Sequence, residues 1–181
     1  MICRRQWLRM SLCVTGGLVL AGCGFHLRES AALPAPMQQR VYLSVSGGGE
    51  FARSLAAALR AHRVEVLETP AQGAATMSVP VAGFSTQLLT SSGFQRVGEY
   101  GVYFHVQFTV TDARGATVVP MQTIDLSHEF AVDQTQLTAI ASETTAIQRS
   151  LVREMTDAVM RRLEAAARHG ALVEPAAARS G

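Results

Sequence analysis

The amino-acid sequence predicts an α+β fold, a two-layer sandwich in which two helices pack on a small mixed, largely antiparallel sheet. Three observations lead there: a strand-helix-strand pattern at residues 41–67, two long stretches of strict apolar/polar alternation between 99 and 132, and a long amphipathic helix after them. Each such element has one apolar face, and two layers are the simplest way to bury all of those faces together.

Val41-Tyr42-Leu43-Ser44-Val45 reads as a strand stopped by Ser46-Gly47-Gly48-Gly49. Phe51, Leu55 and Leu59 then recur every four residues among alanines, which predicts a helix to about His62. Val64 to Leu67 looks like a second strand. After a loop at Thr69 to Gly73, Met77 to Phe84 forms a third, in which Pro80 favours an edge or irregular position because it cannot donate to a ladder. The stretch from Ser85 to Gly98, rich in Ser, Thr and Gly, admits two readings, an extended strand end or a mobile loop. Tyr100, Val102, Phe104, Val106, Phe108 and Val110 then alternate with Glu99, Tyr103, His105, Gln107, Thr109 and Thr111, as a half-buried strand requires. Asp112-Ala113-Arg114-Gly115 supplies a turn. Beyond it Val118, Ile124, Leu126, Phe130 and Val132 alternate with polar residues, which completes a long hairpin.

Asp133 with Gln136 resembles a helix start, and Ile140, Ile147, Leu151, Met155, Val159 and Leu163 mark one helical face. Asp157 with Arg161, and Glu164 with Arg168, are acid-before-base pairs at four-residue spacing, each worth a few tenths of a kcal/mol, order of magnitude, on an exposed face. The domain is expected to span 40–168, with a disordered tail at 169–181. If the helices cover one sheet face, the other shows Tyr103, His105, Gln107, Asp125 and Glu129, either as plain solvent surface or as a docking surface.

The first 22 residues have the layout of a secretory signal: Arg4, Arg5 and Arg9, an apolar run from Met10 to Leu20, then small residues. Only 13 residues separate Arg9 from Cys23, whereas a membrane-spanning helix needs about 20. Leu20-Ala21-Gly22-Cys23 is similar to the lipobox of bacterial lipoproteins, in which the cysteine thiol accepts diacylglycerol after cleavage beside small residues. Cys23 is therefore the expected lipidation site, and Gly24 in place of Asp implies delivery to the outer membrane. Arg4-Arg5 leaves Sec and twin-arginine export both open. Residues 23–39, with Leu33-Pro34-Ala35-Pro36, suit an extended lipidated tether.

Loss of the signal removes three arginines and no acid, which takes the formal charge from +2 to −1, and no nucleic-acid footprint remains. Cys3 and Cys13 leave with it, so the body has no thiol pair for a disulfide. The chain contains no lysine, which excludes a phosphate-loop lysine or a Schiff base. Gly47-Gly48-Gly49 lacks the spacing of a dinucleotide loop, and His26, His62, His105, His128 and His169 show no metal-ligand spacing. No GxSxG elbow occurs. The expectation is a protein that is not an enzyme and holds no metal or cofactor.

Cys23-Gly24-Phe25-His26-Leu27-Arg28, the Pro-containing tether, the strand at Val41 to Val45, Glu99-Tyr100 opening a long strand, Val118-Val119-Pro120 after the turn, and the terminal helix bearing Glu143 resemble the LPS-assembly lipoprotein family LptE, from Cys23 to about Leu163. The resemblance implies a periplasmic, outer-membrane-anchored plug and folding partner for an LptD β-barrel, with lipopolysaccharide as ligand. Members of that family bind lipopolysaccharide through basic loop residues at one end of the sheet. Arg96 matches that placement, but Gln136 to Ser142 has no basic residue. Two other readings stay open, an accessory lipoprotein of another envelope assembly machine and a lipid-anchored hydrolase, which would need a cleft joining a nucleophile and a base.

Replacing the lipid acceptor, Cys23→Ser, is expected to leave an unprocessed precursor that takes up no label from a palmitate analogue. Continued labelling of the variant would show that acylation occurs elsewhere.

Overall fold

Residues 32–47, 49–91, 97–133 and 137–177 are described by the structure, a computed structural model. The first strand, β1 (Arg40–Val45), passes through helix α1 (Gly49–Ala61) into the short β2 (Glu65–Leu67), which lies parallel to β1. On its other side β1 pairs in parallel with β3 (Ala75–Ser91), and β3, β4 (Val97–Thr111) and β5 (Thr117–Asp133) continue antiparallel, giving the order β2-β1-β3-β4-β5. The long helix α2 (Leu137–Ala177) lies against β5, α1 and β4. The fold class is thus the expected one, α+β with a mixed sheet and two helices.

The core follows from the sequence periods. In α1, Phe51, Leu55 and Leu59 are buried at the expected four-residue spacing. In β4, Val102, Phe104, Val106, Phe108 and Val110 are buried while the residues between them are half-exposed. Leu151, Met155, Val159 and Leu163 of α2 close over them, joined by Val152 and Met160. Burying a Leu- or Val-sized side chain contributes about 1.5–3 kcal/mol, so this layer supplies most of the driving force. Where the two helices meet, the Thr156 hydroxyl is the one buried polar side chain among the described residues. It donates to the Val152 carbonyl (2.8 Å) and lies 2.9 Å from the Ser54 hydroxyl, so it costs little to bury.

Local chemistry ends each element. The Val64 amide donates to the Leu59 carbonyl and the Arg63 amide to that of Arg60, the pairing of a Schellman motif. Arg63 accordingly takes the left-handed conformation (φ 64°) where glycine is usual. In the turn between β4 and β5, the Asp112 carboxylate accepts from the amides of Arg114 and Ala116, both at 2.8 Å, and Gly115 takes φ 83°. Pro80 sits where the β3/β4 register slips between Ser78 and Val81, the irregular edge position that its missing N–H demanded.

Three expectations about boundaries change. Residues 33–39 are not a free tether: Leu33 and Met37 are buried in the core, a 3-10 turn spans Ala35–Met37, and the Gln38 amide nitrogen donates to the Leu33 carbonyl (2.9 Å). The prolines break periodicity there, and this hid two anchoring side chains. Asp133 ends β5 rather than capping α2, which begins at Leu137; Gln136 lies outside the described residues. The backbone of α2 stays helical through Ala177, past Arg168 and into the tail expected to be disordered, although no apolar stripe marks it beyond Leu163. Of the two readings for residues 85–98, the structure shows the strand end through Ser91; 92–96 lie outside the described residues.

Leu151 is fully buried under α2, so Leu151→Ala is expected to cost about 2–5 kcal/mol through lost contact and the cavity left behind. An unmoved denaturation midpoint would mean that this helix face is not packed on the sheet.

Candidate interaction surface

Alternation in the strands sorts the sheet into two faces. The side away from the helices carries Tyr103, His105, Gln107, Asp125 and Glu129, as expected, and none of them is buried. His105 and Asp125 stand opposite each other on β4 and β5 and share a hydrogen bond. Tyr103 lies back over Gly101: a Cβ built at Gly101 would come within 2.9 Å of the tyrosine ring. A glycine thus gives the flat ring a seat on a strand that would otherwise push it outward. The His105 and Asp125 side chains are 41% and 72% exposed on an open strand surface, so their pairing orients the two groups in water rather than building a desolvated reaction site. Among the described residues no group of three or more His, Cys, Asp or Glu could hold a metal ion.

The helix-side face divides along its length. β1 is only six residues long and leaves β3 at Val79, opposite Val45. α1, about 20 Å long at 1.5 Å per residue, covers the same end. Its Phe51 meets Phe104 edge-on, with centroids 5.4 Å apart. β3 and β5 have 17 residues each and β4 has 15, so the longest strands run to about 55 Å before twist. The three-stranded ribbon therefore continues well past β1. Phe84 stacks on Phe104 at 4.0 Å, and Leu88 pairs with Tyr100, whose ring stacks on Phe130 at 5.5 Å.

Phe84 remains 38% exposed and Leu88 50%, and the bulge residue Leu89 is exposed next to Leu88, with Val81 exposed on the other face of the same strand. Four of the five exposed large apolar side chains among the described residues lie on this one strand. Sequence reasoning did not single it out, yet a signal was present: between Glu68 and Arg96 the chain has no charged residue.

Two polar contacts tie α2 to β5. Glu154 reaches His128 of β5 with one carboxylate oxygen (3.2 Å), and its other oxygen accepts from the Ser150 hydroxyl (3.1 Å). Arg162 donates to the side-chain oxygen of Gln122 (3.0 Å), a second tie between helix and strand. Of the two site residues expected from the sequence, Cys23 and Arg96 both lie outside the described residues. The flanks of the second are described: β3 ends at Ser91 and β4 begins at Val97.

The family model described as LptE, Lipopolysaccharide-assembly, matches residues 38–163, from just after the core-facing 3-10 turn to the buried Leu163 of α2. The chain belongs to the LptE family. That family is an assembly family and not an enzymatic one. A curated relative, the LPS-assembly lipoprotein LptE of Photorhabdus laumondii subsp. laumondii, is 43% identical over 51 residues. The match covers 28% of this chain and 28% of that relative, so the chain spans little more than a quarter of its length. Two solved structures share the fold. Lipoprotein B from Nitrosomonas europaea superposes with a TM-score of 0.63 at 24% identity, covering 78% of this chain and 91% of that one. A minor lipoprotein from Acinetobacter baumannii does so with a TM-score of 0.59 at 16% identity, covering 71% and 92%. Among the described residues no helix is long and apolar enough to cross a membrane.

Proposed function

We propose that this protein is the lipid-anchored partner of an LptD-type outer-membrane β-barrel, working at the periplasmic face as plug and folding partner during lipopolysaccharide assembly. The observation that carries the reading is the family match over 38–163, which takes in nearly the whole folded domain. The physical design agrees with it. The uncovered ribbon end, with Phe84, Leu88 and Leu89 exposed, is the kind of contiguous apolar surface that marks a binding partner. Attachment to the outer membrane falls to the acylated Cys23: one short acyl chain holds only marginally, and the three chains of a mature bacterial lipoprotein exceed the two signals that stable anchoring takes.

Arg96 is the second part of the proposal. It is the only arginine between Arg63 and Arg114, and it belongs to the connection at the uncovered end of β3 and β4. A guanidinium can hold a lipid A phosphate through two parallel hydrogen bonds. The plug and the ligand contact would then share one end of the molecule.

Isolation of the tagged, acylated protein from detergent-solubilised outer membranes is expected to recover a large barrel protein together with lipopolysaccharide. Arg96→Glu is expected to weaken lipopolysaccharide binding by roughly tenfold, the loss of one charge-assisted pair, while leaving the barrel co-purifying. Failure of the wild type to recover a barrel overturns the partnership; unchanged lipopolysaccharide binding by the variant removes Arg96 from the ligand route.

A further inference from the structure

The backbone of β3 has two edges, and among the described residues only one is paired throughout. Val79 accepts a hydrogen bond at its carbonyl from the Ser46 amide (2.9 Å), so its polar groups face β1. After the register slip at Pro80, the next residue with that orientation is Ala82, whose carbonyl approaches Gly47: a Cβ at Gly47 would lie 3.0 Å from it. From there antiparallel pairing alternates. Gly83, Ser85 and Gln87 turn their N–H and C=O toward β4, while Phe84, Thr86 and Leu88 turn theirs off the sheet. Among the described residues no strand lies beside that outer edge after Val79.

A bare strand edge is a template for another strand, and proteins blunt such edges with charge, proline or a covering element. The opposite edge of this sheet is treated in that way, since β5 carries Pro120, Asp125, His128 and Glu129. The stretch from Val81 to Ser91 has no charge and no proline, and Phe84, Leu88 and Leu89 are exposed along it.

We propose that the outer edge of β3 from Phe84 to Leu88 is a strand-addition site, filled by an extended, uncharged segment of the barrel partner. This rests on the partnership proposed above. Backbone groups at Phe84, Thr86 and Leu88 supply the pairing, and the side chains set the pattern of the incoming segment: apolar residues over Phe84 and Leu88 on the helix side, small polar ones beside Ser85 and Gln87 on the other. The segment comes from a loop or terminus of the partner. Its membrane-spanning strands are consumed on both edges by closure of the barrel.

The test uses the full acylated protein in outer membranes. A photo-reactive residue in place of Gln87 is expected to cross-link to the barrel protein, whereas one in place of Arg114, in the turn at the other end of the ribbon, gives no such product. Thr86→Pro removes an outward N–H and leaves the bonds to β4 intact, because proline is tolerated on an edge whose donor faces away from the ladder. It is expected to keep a near wild-type melting temperature and to lower barrel recovery about tenfold; Thr86→Val, which retains the N–H, keeps it. The cross-link decides if Thr86→Pro fails to fold. Absence of a barrel product from position 87 while the wild type still recovers the barrel overturns the strand-addition site and spares the partnership. A product joining two copies of this chain at position 87 also overturns it. A wild type that recovers no barrel fails at the earlier step.

Discussion

The burial of one row of side chains, Val102, Phe104, Val106, Phe108 and Val110 of β4, is the interaction on which the rest depends. β4 sits between β3 and β5 and under both helices, so its inward row is touched from every side. With no thiol pair in the body, no covalent tie substitutes for it. The same row fixes register: a slip of one residue would send five large apolar side chains to the water side and bring Tyr103, His105 and Gln107 inward. Its outer end also decides where the covered core stops. Phe104 meets Phe51 of α1 on one side and Phe84 of β3 on the other, and beyond it the sheet has lost β1.

That arrangement gives the molecule two ends of different character. At one end, α1, β1, β2 and the turn holding Leu33 and Met37 seal the core. At the other, three long strands run on with α2 tied to β5 through Glu154 and His128, while β3 carries exposed apolar side chains and an outer backbone edge that no strand pairs among the described residues. A chain selected only for solubility would shorten or charge that strand, as β5 is charged. Retention of an uncharged edge is what an assembly factor needs if its free form is to be completed by a partner.

Much of this was legible in the sequence wherever a residue pattern and a physical period coincide. The β4 alternation, the four-residue spacing of Phe51, Leu55 and Leu59, and the stripe from Leu151 to Leu163 each named their buried residues correctly, and Asp112 with Gly115 marked the hairpin turn. Anchoring by Leu33 and Met37 was not legible, because a 3-10 turn between prolines has no period to detect. Nor was the exposure of Phe84 and Leu88. Their alternation looks like that of any half-buried strand, and it is the short reach of β1 and α1, a tertiary property, that leaves them exposed. Of the site, the sequence offered Cys23 through its small neighbours and Arg96 through its isolation among uncharged residues. The outer edge of β3 became visible only once the pairing of β3 with β1 and β4 was known.

Amide hydrogen exchange along β3 in the isolated domain tests the central claim, that this strand is paired on one edge and open on the other. The account predicts an alternating pattern, with Phe84, Thr86 and Leu88 exchanging about tenfold or more faster than Gly83, Ser85 and Gln87, whose amides bond to β4. Uniform protection across 83–88 would contradict it, because it would mean that the outer edge is already occupied by the chain itself.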